Sequence, residues 1–298
     1  MPVDGSSARS GDIRPFLSWA GSKRKLLKHL APFSSFAAGR YYEPFLGGGA
    51  LFFALAPKSA EISDASPSLI DTYKAVRDYP EEILTILRSL KPTKGNFDLM
   101  KRQERSTAVN NAARFIFLNK AGWNGLYRVN SQGVFNVPYG RPKSDFVVDE
   151  DNFLQCAKAL GRRGVSVQHQ DFEAVADRVI AGDFVFFDPP YVTTHNLNGF
   201  VDWNERLFSW RDQVRLAAMA RALSERGANV LITNADHEDI RALYLDFGCT
   251  KFERSSTLAG NKDKRGKTSE AIFFNGPDFW RSAGARLMPE GVARWQQM

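Results

Sequence analysis

The sequence predicts an α/β fold: a mostly parallel, Rossmann-like sheet of seven strands, interrupted by an inserted helical and β-hairpin module. Three observations carry this. Short hydrophobic runs recur along the chain, and the first four each close in an acid: Glu43, Asp64, Asp171 and Asp188. Helical stretches separate them, as in a parallel sheet with both faces covered. About one hundred residues separate the second run from the third, too many for a single crossover, so a module is inserted there.

The strands are expected at residues 40–45, 60–64, 165–171, 184–188 and 229–234, and residues 250–254 and 270–274 pair as a closing hairpin. Residues 70–90 are helical in pattern, broken at Pro80, and residues 98–118 form a second helical stretch. Residues 119–143 alternate glycine, asparagine, aromatic and cationic side chains, and Ser131-Gln132-Gly133 is a hairpin turn between two short strands. The expected organisation is a loose tail at 1–14, a catalytic domain built from 15–72 and 160–277, an insertion at 73–159, and an extension at 278–298.

Composition narrows the partners. The 298 residues carry a net charge of +7 and are 43% hydrophobic, so a true core accompanies a preference for a polyanion. The two cysteines, Cys156 and Cys249, lack neighbouring metal-ligand patterns, so no zinc site or disulfide framework is expected. The absence of a long apolar run or signal segment points to a cytoplasmic protein without a membrane span.

Ligands of open parallel sheets bind beyond the carboxyl ends of the strands. There the segment Glu43-Pro44-Phe45-Leu46-Gly47-Gly48-Gly49 turns from strand to helix. Glycine lets a backbone turn tightly and approach a ligand. Phe52 stands where a dinucleotide fingerprint has its third glycine, and Glu43 would repel a pyrophosphate. An acid here suits a cationic or amino-bearing ligand, and S-adenosylmethionine is one, with no phosphate. Asp64, at the end of the next strand, is placed to accept from ribose hydroxyls, or to cap the helix after it. Asp171 can accept an adenine amino group while Phe172 packs on the ring; alternatively, it is an ordinary surface acid.

The fourth strand ends in Asp188-Pro189-Pro190-Tyr191. Two prolines forbid further sheet pairing. The Asp188 carboxylate and the Pro189 carbonyl can accept both hydrogens of an exocyclic amine. The nitrogen lone pair then points at an electrophile, and Tyr191 stacks on the base. Such a displacement rests on placing two atoms about 3 Å apart in line, without a metal. A base inside a duplex must first be extruded. The polar loop 192–199 with Phe200 could close over it, and His195 reads as a loop histidine.

With these segments assembled, the chain resembles the Dam-type, D12-class (alpha group) DNA adenine-N6 methyltransferases. The resemblance rests on residues 15–23, the glycine motif 42–52, the acid segment 63–70, the 119–143 segment and the Asp-Pro-Pro-Tyr tetrapeptide, and spans roughly residues 15–275. Ser22 stands where the family commonly has glycine, Gly48 where it has another small residue, and the stretch after Tyr191 has no close match. The resemblance implies a methyltransferase sheet, S-adenosylmethionine as cofactor and double-stranded DNA as partner; no metal is expected, and a monomer is one option, with the oligomeric state left open. It adds Trp19, Gly21 and Lys23 to the cofactor site, and makes Asp64 and Asp188 cofactor-site or pocket acids. It implies that the hairpin region enters the major groove, where arginine reads guanine. Asn124, Tyr127, Arg128, Arg141 and Lys143 become DNA-contacting candidates, as base readers, phosphate contacts or loop structure. Lys262, Lys264 and Arg265, in the cation-rich segment 257–268, suit phosphates. The expected reaction is methyl transfer to N6 of a flipped adenine, with restriction-modification, a phage and housekeeping all open as its setting. Methylation of another exocyclic amine (RNA adenine or cytosine N4) and a DNA-binding relative without catalysis are the alternatives.

Overall fold

The structure is a computed structural model that describes residues 13–30, 33, 39–104, 106–130, 135–145, 147–192, 208–255 and 267–275. Seven strands form one sheet: β1 (Tyr41–Glu43), β2 (Ser59–Asp64), β3 (Gly164–His169), β4 (Phe184–Phe187), β5 (Asn229–Ala235), β6 (Gly248–Ser255) and β7 (Lys267–Phe274). Their order is β3-β2-β1-β4-β5-β7-β6. β2 pairs with β3, β1 with β4, and β4 with β5, all parallel; β7 runs antiparallel to both β5 and β6. The expected closing hairpin is therefore present, with β7 as its inner strand. The chain divides into two compact units, residues 1–31 with 46–169, and residues 32–45 with 170–298.

The first unit holds β2, β3 and most of the helices. These are α1 (Leu27–Leu30), α2 (Ala50–Leu55), α3 (Pro67–Asp78), α4 (Pro80–Ser89), α5 (Lys94–Arg102), α6 (Ala108–Ala121) and α7 (Glu150–Leu160). The break at Pro80 is a clean one: Pro67 and Pro80 each open a helix, where a missing N–H costs nothing. The stretch expected as one helix over 98–118 is two. Thr93 and Thr107 each accept an amide N–H three residues on, so α5 and α6 start separately. Helix α7 follows the same rule, with Asp149 accepting from Asn152. The expected hairpin consists of two isolated antiparallel bridges, Val129 with Phe135 and Gly122 with Tyr139. Its turn, residues 131–134, lies outside the described residues.

The second unit holds β1, β4 to β7, α8 (Trp210–Glu225) and α9 (Glu238–Leu243). Strand β4 is Phe-Val-Phe-Phe and is buried throughout, as a central parallel strand must be. Val185 and Phe187 pack with Leu216, Ala220 and Leu223 of α8 and with Val230 and Ile232 of β5. Burying a side chain of this size is worth about 1.5–3 kcal/mol, so these contacts fix β4 firmly. The strand order reverses between β1 and β4, the place where open α/β sheets bind ligands. No helix among the described residues is long and apolar enough to cross a membrane.

Candidate active site

In the second unit, Asp188-Pro189-Pro190-Tyr191 leaves the carboxyl end of β4. The Thr233 hydroxyl donates to Asp188 Oδ1 at 2.7 Å. The Tyr191 hydroxyl donates to Glu270 Oε2 at 3.1 Å, and Glu270 is buried. Gln213, buried on α8, donates from Nε2 to the carbonyls of Pro190 and Val192, each at 3.4 Å. Its Oε1 accepts from Asn234 Nδ2 at 3.0 Å. The corner is thus tied to β5, β7 and α8 at several points.

Glu43 closes β1 and is buried, accepting the Tyr41 hydroxyl at 2.7 Å. Burial first, and then the Glu43 and Asp188 charges, hold the Tyr41 phenol protonated far above its usual range. Phe45 stacks on Phe172, with ring centroids 5.3 Å apart, and meets Phe208 edge-on. Arg215 lies over the other ring, Phe172, at 4.9 Å. Asp171 falls past the end of β3, because its Oδ1 accepts the Glu173 amide and opens a short 3-10 helix. The same oxygen pairs with Arg215 at 3.1 Å.

In the first unit the glycine turn has the left-handed backbone that the sequence requires, with φ +47° at Gly47 and +65° at Gly49. A Cβ on Gly47 would lie 2.8 Å from Trp19 Cδ1, so the indole of Trp19 sits directly against the turn. Asp64 reaches back to the turn. Its Oδ2 accepts the Gly47 amide at 3.0 Å and its Oδ1 the Ser66 amide at 2.9 Å. Burial pushes the Asp64 carboxyl up, and the Gly47 and Ser66 amides oppose that. Helix α3 is capped at Ser66 without a side-chain bond, so Asp64 is not its N-cap. The Lys23 ammonium is buried and donates to the Gly21 carbonyl at 2.8 Å.

A family model described as D12 class N6 adenine-specific DNA methyltransferase matches residues 19–258. The chain belongs to that family. A type II methyltransferase, M1.LlaDCHI of Lactococcus lactis subsp. cremoris, is 35% identical over 272 residues, covering 89% of this chain and 96% of its own. M.MjaIII, a type II methyltransferase of Methanocaldococcus jannaschii, is 35% identical over 278 residues, covering 85% of this chain and 96% of its own. A DNA adenine methylase of Serratia marcescens is 31% identical over 271 residues, covering 87% and 97%. Among the readings left open by the sequence, DNA adenine methylation is therefore the one the chain's family carries out.

Within this D12-class methyltransferase, the 119–143 segment is anchored by Asn119. Its side chain accepts the Ser18 amide at 2.9 Å and donates to the carbonyls of Ser18 and Gly125. Tyr127 is engaged in packing: its ring stacks on Phe115 at 4.0 Å and on Trp19 at 6.4 Å. Arg128 donates from Nε to Asn136 Oδ1 at 2.8 Å. Asn124 is exposed with φ +53°, and Arg141 is exposed with φ +52°. Lys143 is exposed as well. Lys262, Lys264 and Arg265, like the loop from 193 with His195 and Phe200, lie outside the described residues.

Sequence reasoning missed Thr233, Gln213, Asn234 and Glu270. Thr233 and Asn234 lie near the end of β5, which runs parallel to β4, so the sheet register sets their tie to the corner and no motif in the sequence marks it. It also missed Lys120, in the last turn of α6, which lines a cavity of about 200 Å³ with Arg14, Arg24, Asp149 and Asn152. Burial, with Arg24 beside it, pushes the Lys120 ammonium down to about 8.

Proposed function

We propose that the chain transfers a methyl group from S-adenosylmethionine to N6 of an adenine swung out of duplex DNA. The observation that carries this reading is the Asp188-Pro189-Pro190-Tyr191 corner at the carboxyl end of β4, beside the reversal of strand order.

When bound, the cofactor supplies an electrophilic methyl carbon. The chemistry of the first unit suits it. The glycine turn presents backbone without a Cβ, and Trp19 covers the turn. A carboxylate has about four acceptor sites, so Asp64 can take a ribose hydroxyl beside its backbone donors. In the second unit Glu43 offers a buried negative charge to an ammonium or sulfonium, and Pro44 follows it in the chain. The Phe45 and Phe172 rings offer an apolar face to an adenine, and Asp171 an acceptor for its amine. Gly21 and Lys23 complete the cofactor set from the start of the chain.

At the target base, Asp188 and the Pro189 carbonyl accept the two amino hydrogens, Pro190 holds the corner rigid, and Tyr191 stacks on the ring. Asp188 and the Pro189 carbonyl would hold the amine with its lone pair toward the methyl donor, whose sulfur would leave as a neutral thioether while the amine's displaced proton would pass to solvent. Extrusion of the base costs a few kcal/mol, which the DNA contacts must supply. Asn124, Tyr127, Arg128, Arg141 and Lys143 serve the DNA, and the Tyr127 ring also packs on Phe115 and Trp19. Lys262, Lys264 and Arg265 contact phosphates.

Labelled methyl transfer to defined duplexes tests the reading. Asp188→Ala is expected to abolish incorporation while leaving cofactor binding partly intact, and full activity in that variant would refute it. Methylating random-sequence DNA and mapping the modified adenines gives the target site.

A further inference from the structure

Strands β4 and β5 run parallel and in register, with Phe187 beside Ile232. One residue further along that register, Asp188 stands beside Thr233. Adjacent strands lie about 4.8 Å apart, so the two side chains on one face meet. Their bond, Thr233 Oγ1 to Asp188 Oδ1, is 2.7 Å long, and Thr233 is fully buried. The next residue, Asn234, is also fully buried and points to the opposite face of the sheet. From there it holds Gln213, which donates to the carbonyls of Pro190 and Val192. Consecutive residues of β5 therefore reach the corner from two sides, one directly and one through α8.

These contacts differ in what they control. Gln213 fixes backbone, and the two prolines already restrict that backbone. Thr233 fixes a side chain that nothing in the chain's covalent structure restrains: the last torsion of an aspartate is broad. A threonine at this point is itself stiff, because its branched Cβ restricts χ1. Its hydroxyl donates to a carboxylate, the stronger kind of hydrogen bond. Anchoring one oxygen sets the direction of the other.

We propose that Thr233 is a positioning residue for methyl transfer: its hydroxyl sets the direction in which Asp188 presents its carboxylate to the target amine. This rests on the reading of Asp188 given above. Valine has the shape of threonine without the donor, and serine keeps the donor without the extra methyl.

The test measures single-turnover methylation, KM for a duplex substrate and Kd for S-adenosylmethionine in the full chain. Thr233→Val is expected to slow the chemical step about 10- to 100-fold, the effect of losing one hydrogen bond to a charged group. KM and Kd should stay within about twofold, since the hydroxyl touches neither ligand in this assignment. Thr233→Ser should return the rate to within about threefold of the parent. A merely structural role would instead lower the melting temperature in both variants and weaken ligand binding along with the rate. If Thr233→Val proves too unstable to assay, Thr233→Ala against Thr233→Ser gives the same comparison. A parent-like rate without the hydroxyl, or a serine variant as slow as valine, overturns the inference. Activity of Asp188→Ala would overturn the underlying reading; an inactive Asp188→Ala beside a fully active Thr233→Val would overturn only the role of Thr233.

Discussion

Asp64 Oδ2 accepts the Gly47 amide at 3.0 Å, joining the end of β2 to the turn that opens α2. The bond makes one acid serve two purposes. It satisfies a backbone donor in a turn with left-handed residues, and it holds a negative charge where a hydroxyl-bearing ligand is expected. Asparagine keeps one acceptor oxygen but loses the charge and adds an N–H that would face another donor. Asp64→Asn is therefore expected to weaken S-adenosylmethionine binding about 10- to 100-fold, the range for a charge-assisted bond. DNA binding measured without cofactor should remain unchanged. Titration calorimetry with the two ligands separately checks this, and parent-like cofactor affinity in Asp64→Asn would remove Asp64 from the site.

Gly47→Ala tests the turn itself. Its φ of +47° strains any side chain, by about 1–2 kcal/mol. The added methyl would also lie 2.8 Å from Trp19 Cδ1, so either the turn or the indole must move. Both effects act on the same few residues. The melting temperature should fall by several degrees, and cofactor affinity by at least about tenfold. A variant with unchanged affinity would show that the turn lies away from the ligand.

The end of β3 was not legible, since the strand is largely polar and Asp171 falls past it, whereas the end of β4 was legible because a hydrophobic run stops there at an acid and two prolines. Asp188 and Tyr191 stood out for that reason, as did the glycine turn, whose positive φ values only glycine adopts freely. Thr233 was not legible. In sequence it is one more β-branched residue in a buried run, and its partner is set by the register of two strands 45 positions apart. Tyr127 shows another limit. In an aromatic and cationic segment it reads as a DNA contact or as loop structure, and the sequence does not show that its ring stacks on Phe115 and Trp19. Sequence gives the residue types along a loop; which of them face inward depends on neighbours such as Asn119, whose anchoring bonds span 101 residues to Ser18.

Arg141 and Lys143 are exposed and form no ion pair among the described residues. If both contact phosphates, each releases about one counterion on binding. Replacing both with glutamine should then reduce the slope of log K against log salt by about two. The loss should be similar for every duplex sequence. Arg128, whose guanidinium is oriented by Asn136, is expected to behave differently: Arg128→Lys should relax sequence preference more than it changes the salt slope. Binding isotherms at several salt concentrations on target and scrambled duplexes separate the two behaviours. An unchanged slope in the double variant would take Arg141 and Lys143 off the DNA.

Lys120 sets two effects against each other. In the last turn of α6 a cation is favoured by the helix dipole, by roughly 0.3–1 kcal/mol. Burial and the nearby Arg24 oppose the charge, and they prevail, since the ammonium is pushed down to about 8. Below that pH the folded and unfolded chains both hold the proton, and the folded state carries the full penalty of a buried charge. Between about 8 and the ordinary lysine value near 10.5 the unfolded chain binds the extra proton, so stability at this site rises with pH. Lys120→Met keeps most of the aliphatic stem and removes the charge. It should raise the melting temperature by a few degrees at neutral pH, and the gain should shrink as pH climbs through that window. Thermal scans of parent and variant near pH 7 and near pH 10 decide it. An equal gain at both values would mean that methionine simply packs better, and a loss at neutral pH would mean that the charge has a stabilising partner at the cavity.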